Sequence, residues 1–332
     1  MKIYTEDDVH TNLLKGQKVA ILGYGNQGRA HALNLRDSGM EVIVGTRRGG
    51  TGWHEAIRAG FESVSVSEAT ARADVVVMML PDEVQGAVLV DEILGTLRPG
   101  ATIVFPHGFA VAFGVVEPPA DHDTVLVAPK AQGETVRAQF LDGAGVTCLV
   151  GIAHDATGRA MQKALSYASL VGCLACGAIE TTFREEAVTD LFGEQVVLCG
   201  GVPDLVRAAF DELVSRGYAP EIAYLECLHE LKIITDLMVD KGIAGMRSRI
   251  SRTAAWGSLV SGERVVSRSV RRAISGVLDD IESGQFARGW IESSQHGASE
   301  LESGMAAERN HPIERAGRHV RALLPDSEPR AS

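Results

Sequence analysis

Six short runs rich in valine and isoleucine, KVAIL, EVIVG, DVVVMML, ATIVF, TVLVAPK and VTCLVGIA, recur between residues 18 and 153 with helix-like stretches between them. Apolar runs this short, returning with intervening helices, are buried strands joined by crossovers, and they demand a doubly wound parallel sheet with helices on both faces. After about Ile179 the rhythm stops. From there on apolar residues return every three or four positions with no strand pattern, so the second half reads as all-helical. The expectation is an α/β domain over 1–181, an all-α domain over 182–326 and a frayed polar tail over 327–332. At 332 residues and 45% hydrophobic content the chain has material for both cores.

The first strand runs into Gly23-Tyr24-Gly25-Asn26-Gln27-Gly28, and a helix-like AHALNLRDSG follows. Glycine at these three places permits a tight turn, lets a pyrophosphate approach the backbone and lets helix pack on strand, so a dinucleotide site is expected here. The end of the second strand decides which dinucleotide. An acid there accepts from ribose hydroxyls, whereas cations suit a 2′-phosphate. The residues present are Thr46, Arg47, Arg48, Gly49, Gly50 and Thr51, which favours NADP over NAD. Open α/β sheets bind ligands beyond the carboxyl ends of their strands. Three further strand ends carry polar residues there: Pro81, Asp82 and Gln85, then His107, then Lys130. His107 and Lys130 are therefore expected to face the same rim as the cofactor loop.

With 43 acids against 32 bases, a net charge of −11 and no long basic run, nucleic acid and acidic membranes are not expected partners. A small-molecule substrate is. The N-terminal MKIYTEDDVHTNLLKG lacks the apolar core of a secretion signal, and the near-apolar stretch 165–179 falls short of the about 20 residues that span a bilayer. A soluble, cytoplasmic protein is expected. Cys173 and Cys176 form a CLAC with no base nearby to lower a thiol pKa, and both read as small core residues.

The helical half contains TDLFGEQVVLCGG (189–201) and LECLHELKIITD (225–236). At helical spacing Asp190 and Glu194 head a stripe that continues through Val197 and Leu198, and Glu226 and Glu230 precede Ile233, Ile234 and Leu237. Carboxylates at the head of apolar stripes need counter-charge. Oxygen-only ligands without paired Cys or His point to a hard cation, Mg²⁺ before Mn²⁺, and four carboxylates suffice for two ions. A nicotinamide site together with such a centre implies Lewis-acid chemistry coupled to hydride transfer.

The stretches LLKGQKVAILGYGNQG, LPDEVQ, HGF, VAPK with Thr135-Val136-Arg137, ETTFREE, TDLFGEQVVLCGG, CLHELK, GIAGMR, FARGWI and HPIE together resemble the short-form (class I) ketol-acid reductoisomerases along nearly the whole chain. The resemblance implies a Rossmann domain followed by a knotted helical domain that pairs in a homodimer or larger homo-oligomer. It implies Mg²⁺ ions held by Asp190 and Glu194, with Glu226 and Glu230 supplied by the partner chain. The greasy stripes would then be dimer core. It further implies that NADPH contacts Gly133 as well as the loop residues above, that Glu230 handles a proton, that Lys130 is a cation beside the metals, that Ser251 holds the substrate carboxylate and that His107 sits near the nicotinamide. The reaction implied converts a 2-acetolactate-type acid to a 2,3-dihydroxy acid in branched-chain amino-acid biosynthesis.

The departures from the family pattern cluster. Where the family has PKGPGH this chain has Ala131, Gln132 and Glu134, and two serines common near the 2′-phosphate are Gly50 and Gly52. Around Ser251 the chain carries Arg249, Arg252, Ala255 and Trp256 in place of the usual serine, acid or amide, glutamate and tyrosine. A paralogue acting on another keto acid is therefore a second expectation. A metal-independent 3-hydroxyacid dehydrogenase and a non-enzymatic NADP-binding protein are more distant ones.

Overall fold

A computed structural model of the chain describes residues 1–9 and 11–323. The expected tail at 327–332 lies outside the described residues. Packing divides the chain into two units, Met1–Thr189 and Asp190 onward, so the division falls inside the helix that opens the C-terminal half.

Among the described residues of the first unit, nine strands form one sheet: β1 (Ile3–Tyr4), β2 (Lys18–Leu22), β3 (Glu41–Gly45), β4 (Glu62–Val64), β5 (Val75–Met78), β6 (Thr102–Phe105), β7 (Asp123–Pro129), β8 (Cys148–His154) and β9 (Ala178–Glu180). Their order is β1-β9-β8-β7-β6-β5-β2-β3-β4. The helices between them are α1 (Asn26–Asp37), α2 (Thr51–Arg58), α3 (Val66–Arg72), α4 (Asp82–Val88), α5 (Phe109–Ala112), α6 (Gly133–Leu141) and α7 (Ala160–Leu170). Alternation along a strand sends neighbours to opposite faces. Val19 and Ile21 join one buried cluster while Ala20 and Leu22 join another, and Val75 and Val77 separate from Val76 and Met78 in the same way. Both faces are covered, and each Val, Ile or Leu so buried contributes about 1.5–3 kcal/mol.

The sheet is parallel from β4 through β3, β2, β5 and β6 to β7, but β8 runs antiparallel to β7, and β1 antiparallel to β9. The doubly wound parallel sheet expected from sequence is present, with β8 and β1 joining their neighbours β7 and β9 in antiparallel sense. An apolar run records that a strand is buried, not which way it points. The path reverses between β2 and β5, with β3 and β4 laid down on one side and β6 and β7 on the other. That switch point leaves a crevice at the carboxyl ends of β2 and β5.

The second unit is helical, as expected. It contains α9 (Gly201–Ser215), α10 (Pro220–Tyr224), α11 (Leu231–Arg247), α12 (Arg252–Val265), α13 (Arg268–Glu282), α14 (Gln285–Gln295), α15 (Ser299–Arg309) and α16 (Pro312–Leu323), and α8 (Phe183–Gly193) leads into it. Its buried cluster is small, built on Val206, Phe210, Tyr224, Ile313 and Val320 from α9, α10 and α16. Large apolar side chains on α11 and α12 stand open, Val239 80% and Trp256 69% exposed. Gly242 breaks α11 with φ 72°, a conformation that an L side chain adopts only at a cost. Among the described residues no helix is long and apolar enough to cross a membrane. Cys173 is core as expected, with its thiol held well above the ordinary pKa by the neighbouring Cys148 thiol and by burial. Cys176 instead is exposed and donates to the Ala144 carbonyl at 3.1 Å.

Candidate active site

The crevice holds the glycine loop. Gly23 has φ 98°, and a Cβ there would meet the Met79 carbonyl oxygen at 2.3 Å; a Cβ on Gly28 would meet the Gly23 carbonyl oxygen at the same distance. These two glycines fit strand to helix. Gly25 differs, because a Cβ there meets nothing within 4 Å, so the space above it is open to a ligand at the start of α1. Gln27 and Gln85 each leave a buried Oε1 with no hydrogen-bond partner among the described residues, although both amides donate elsewhere: Gln27 to the Ala131 carbonyl and Gln85 to the Leu80 carbonyl, each at 2.8 Å. Orphaned acceptors and an uncovered backbone at the switch point fit a nicotinamide dinucleotide. The Tyr24 ring is buried edge-on against Phe61, so Tyr24 has its backbone to offer a cofactor. Gly133 packs directly on the loop, and a Cβ there would lie 2.2 Å from the Asn26 carbonyl oxygen.

β3 ends in a buried Thr46 whose hydroxyl is 3.0 Å from that of Ser63. Beyond it Arg47 and Arg48 are exposed, with no acidic partner among the described residues, just before α2 opens at Thr51. Pro81 precedes α4, and Asp82 lies at its first turn, 3.2 Å from the Gln85 amide.

At the ends of β6 and β7, His107 and Lys130 are brought together by Glu186, a residue outside the set expected from sequence. Glu186 on α8 is 1% exposed; its Oε1 accepts from Lys130 Nζ at 2.7 Å, and its Oε2 accepts from the Gly108 amide at 2.7 Å and lies 3.1 Å from His107 Nδ1. Burial pushes the Glu186 carboxyl up, but the bond and charge of His107 and then of Lys130 outweigh it and hold the pKa below its ordinary value. Glycine is required at 108, since a Cβ there would lie 2.9 Å from Glu186 Oε2 and 2.3 Å from the Phe183 carbonyl oxygen. The signal for Glu186 was present in the sequence: Glu186, Asp190 and Glu194 form one stripe at four-residue spacing.

Beside each acid pair the chain departs from regular α-helix. After α8 the chain continues as a π-helix over Glu194–Leu198, and a second π-helix spans Leu225–His229 before α11. Each widens the turn that carries a carboxylate, and π turns concentrate at functional sites. The stripes are also not buried within the chain: Leu198 is 66% and Ile233 62% exposed, and Glu194, Glu226 and Glu230 are exposed as well. Within one chain, and among the described residues, no three of these four acids come close enough to share an ion. The carboxylate oxygens of Asp190, Glu194, Glu226 and Glu230 are donors of the kind a hard divalent cation takes. Ser251 caps α12, its Oγ accepting from the Ala254 amide at 3.1 Å, and Arg249 donates to the Gly245 carbonyl at 3.2 Å.

The family model described as acetohydroxy acid isomeroreductase, NADPH-binding domain, matches residues 13–177, and the ketol-acid reductoisomerase C-terminal domain matches 183–326. A solved NADH-preferring ketol-acid reductoisomerase from an uncultured archean is 37% identical, with a TM-score of 0.94 over 98% of this chain and 100% of that one. A semialdehyde dehydrogenase NAD-binding protein from Cupriavidus necator is similar in fold alone, at 20% identity, 80% and 99% coverage and a TM-score of 0.62. So is a 1-pyrroline-5-carboxylate reductase from Streptococcus pyogenes, at 14% identity, 80% and 98% coverage and a TM-score of 0.53. Dinucleotide folds are widespread, but a match in order to both domain models and to the full length of a solved relative is not, and on that ground the chain belongs to the ketol-acid reductoisomerase family, in its short form.

Proposed function

We propose that this protein is a Mg²⁺-dependent, NADPH-linked reductoisomerase that moves an alkyl group in a 2-acetolactate-type acid and reduces the product to a 2,3-dihydroxy acid, as a step of branched-chain amino-acid biosynthesis in the cytoplasm. The observation that carries this reading is the network around Glu186, a buried carboxylate balanced by Lys130 and His107 on the helix that next presents Asp190 and Glu194. Bound Mg²⁺ would acidify the substrate hydroxyl and polarise its ketone, and bound NADPH would supply the hydride. Asp190, Glu194, Glu226 and Glu230 would hold the two ions. The last two would come from a second subunit, a reading supported by the exposed apolar side chains of α11 and α12. Glu230 is positioned in this scheme to accept and return a proton, Lys130 to keep positive charge beside the developing oxyanion, and Ser251 to bind the substrate carboxylate.

NADPH is preferred in this reading because Arg47 and Arg48 are exposed at the end of β3, without acidic partners among the described residues. The archean relative is described as NADH-preferring, so this loop is the place to test. One observation favours a second acceptor. Arg249 and Arg252 flank Ser251, both exposed and neither with an acidic partner among the described residues, and cations there suit an acid with an additional anionic group. The experiment is a rate comparison with 2-acetolactate, 2-aceto-2-hydroxybutyrate and 3-hydroxypyruvate, using NADPH or NADH. A kcat/KM on 2-acetolactate of about 10⁴ M⁻¹s⁻¹ or more, the range of ordinary enzymes, supports the biosynthetic reading and removes the second.

A further inference from the structure

Gln27 sits in the cofactor loop, yet its side-chain amide is committed to the protein. Nε2 donates to the Ala131 carbonyl at 2.8 Å, one residue past Lys130. Beside that bond the first residues of α1 and α6 touch through their backbones: a Cβ on Gly133 would lie 2.2 Å from the Asn26 carbonyl oxygen and 3.0 Å from the Gln27 amide nitrogen. The glycine loop and the 129–133 segment are thus joined twice, once by close packing and once by a directed hydrogen bond. From the other side the Lys130 amide donates to the Thr147 carbonyl at 2.9 Å, and Lys130 Nζ reaches Glu186. Lys130 is therefore suspended between a strand contact and the Gln27 bond.

We infer that Gln27 is a positioning residue for Lys130, strapping the Lys130 segment to the dinucleotide loop so that the ammonium and the nicotinamide site keep one spacing. The inference rests on the proposed roles of the glycine loop and of Lys130. It differs from a cofactor contact in what it changes. A lost dinucleotide contact weakens NADPH binding, whereas a lost strap leaves binding alone and slows turnover, because small displacements of a positioned group cost rate steeply.

The test uses the full-length protein and two variants. Gln27→Leu removes the amide, and Gln27→Glu keeps the shape while withdrawing the donor from Ala131. Three quantities are measured: the NADPH dissociation constant without substrate, kcat on 2-acetolactate at saturating NADPH with Mg²⁺, and hydrogen exchange at the Lys130 and Val136 amides. The expected result in both variants is a kcat at saturating NADPH lower by about tenfold or more and faster exchange at Lys130, alongside whatever rise in the NADPH dissociation constant follows from altering the Gln27 Oε1. A weakened NADPH dissociation constant with kcat intact makes Gln27 a direct cofactor contact and overturns the inference, as does wild-type behaviour in all three measurements. If the wild-type protein itself turns over no 2-acetolactate, the proposed function fails on its own. Exchange then decides the strap: faster at Lys130 supports it, unchanged overturns it.

Discussion

Glu186 shows what one buried charge requires. A carboxylate at 1% exposure stays ionised only because Lys130, His107 and the Gly108 amide meet it, and its lowered pKa fixes the direction of a pH effect. Its contribution to stability is present above the ordinary glutamate range and is lost as pH falls through the folded-state value. Glu186→Gln should accordingly lower the thermal midpoint at pH 7 and lose that difference as pH falls from the ordinary glutamate range through the lower folded-state value; a difference independent of pH contradicts the pairing. His31 provides a separate case. It is fully buried, with Nδ1 2.9 Å from the Tyr167 hydroxyl, and burial lowers its pKa to about 4. The unfolded chain therefore binds a proton that the native chain refuses, and stability falls as pH drops from about 6.5 toward 4, by about 1.4 kcal/mol per unit. Denaturant unfolding at pH 7 and pH 5 should show this loss, and His31→Gln should reduce it. Arg47→Ala and Arg48→Ala should each raise KM for NADPH about tenfold or more with little effect on NADH. Equal effects on both cofactors would show that the arginines serve something other than a 2′-phosphate. Gly23 and Gly28 were legible from the sequence because a tight turn leaves one residue type possible. Glu186 is legible as a third acid on the stripe of Asp190 and Glu194, but its role is not, because its partners His107, Gly108 and Lys130 come from the ends of β6 and β7 and only folding makes them neighbours.

At the scale of elements, six strands were legible because each is an uninterrupted apolar run, whereas β1, β4 and β9, of two or three residues, are too short to show a period. The reversal of β8 was hidden for a different reason: a strand covered on both faces has the same composition whichever way it runs. The π turns were hidden likewise, since α and π segments draw on the same residues and only the hydrogen-bond partner differs, as in the Glu230 amide donating to the Leu225 carbonyl at 3.1 Å. These turns place the acids, so shifting them should be costly. Asp190→Asn removes a charge from α8 without touching its backbone. It is expected to lower kcat by about 10²-fold or more while leaving the fold intact by circular dichroism. Near-wild-type turnover at saturating Mg²⁺ would contradict the metal assignment.

For the whole molecule the question is what completes the site. The four acids that the family resemblance gathers around the metals are not gathered in one chain, and the apolar faces of α11 and α12 are left uncovered. Both observations follow if two chains build each site. Mixing Asp190→Asn subunits with Glu226→Gln subunits should then recover activity absent from either alone, because some hybrid dimers hold one site with all four carboxylates. Recovery absent under conditions of subunit exchange would contradict a shared site. The most direct measurement is of the reaction itself: purified protein, NADPH and 2-acetolactate, with Mg²⁺ or with the metal removed by EDTA, the product identified by mass and NMR. The account predicts a 2,3-dihydroxy acid formed with one NADPH consumed per product, in the presence of Mg²⁺ and not after its removal. NADPH consumption that persists in EDTA, or a product whose carbon skeleton is not rearranged, would contradict it.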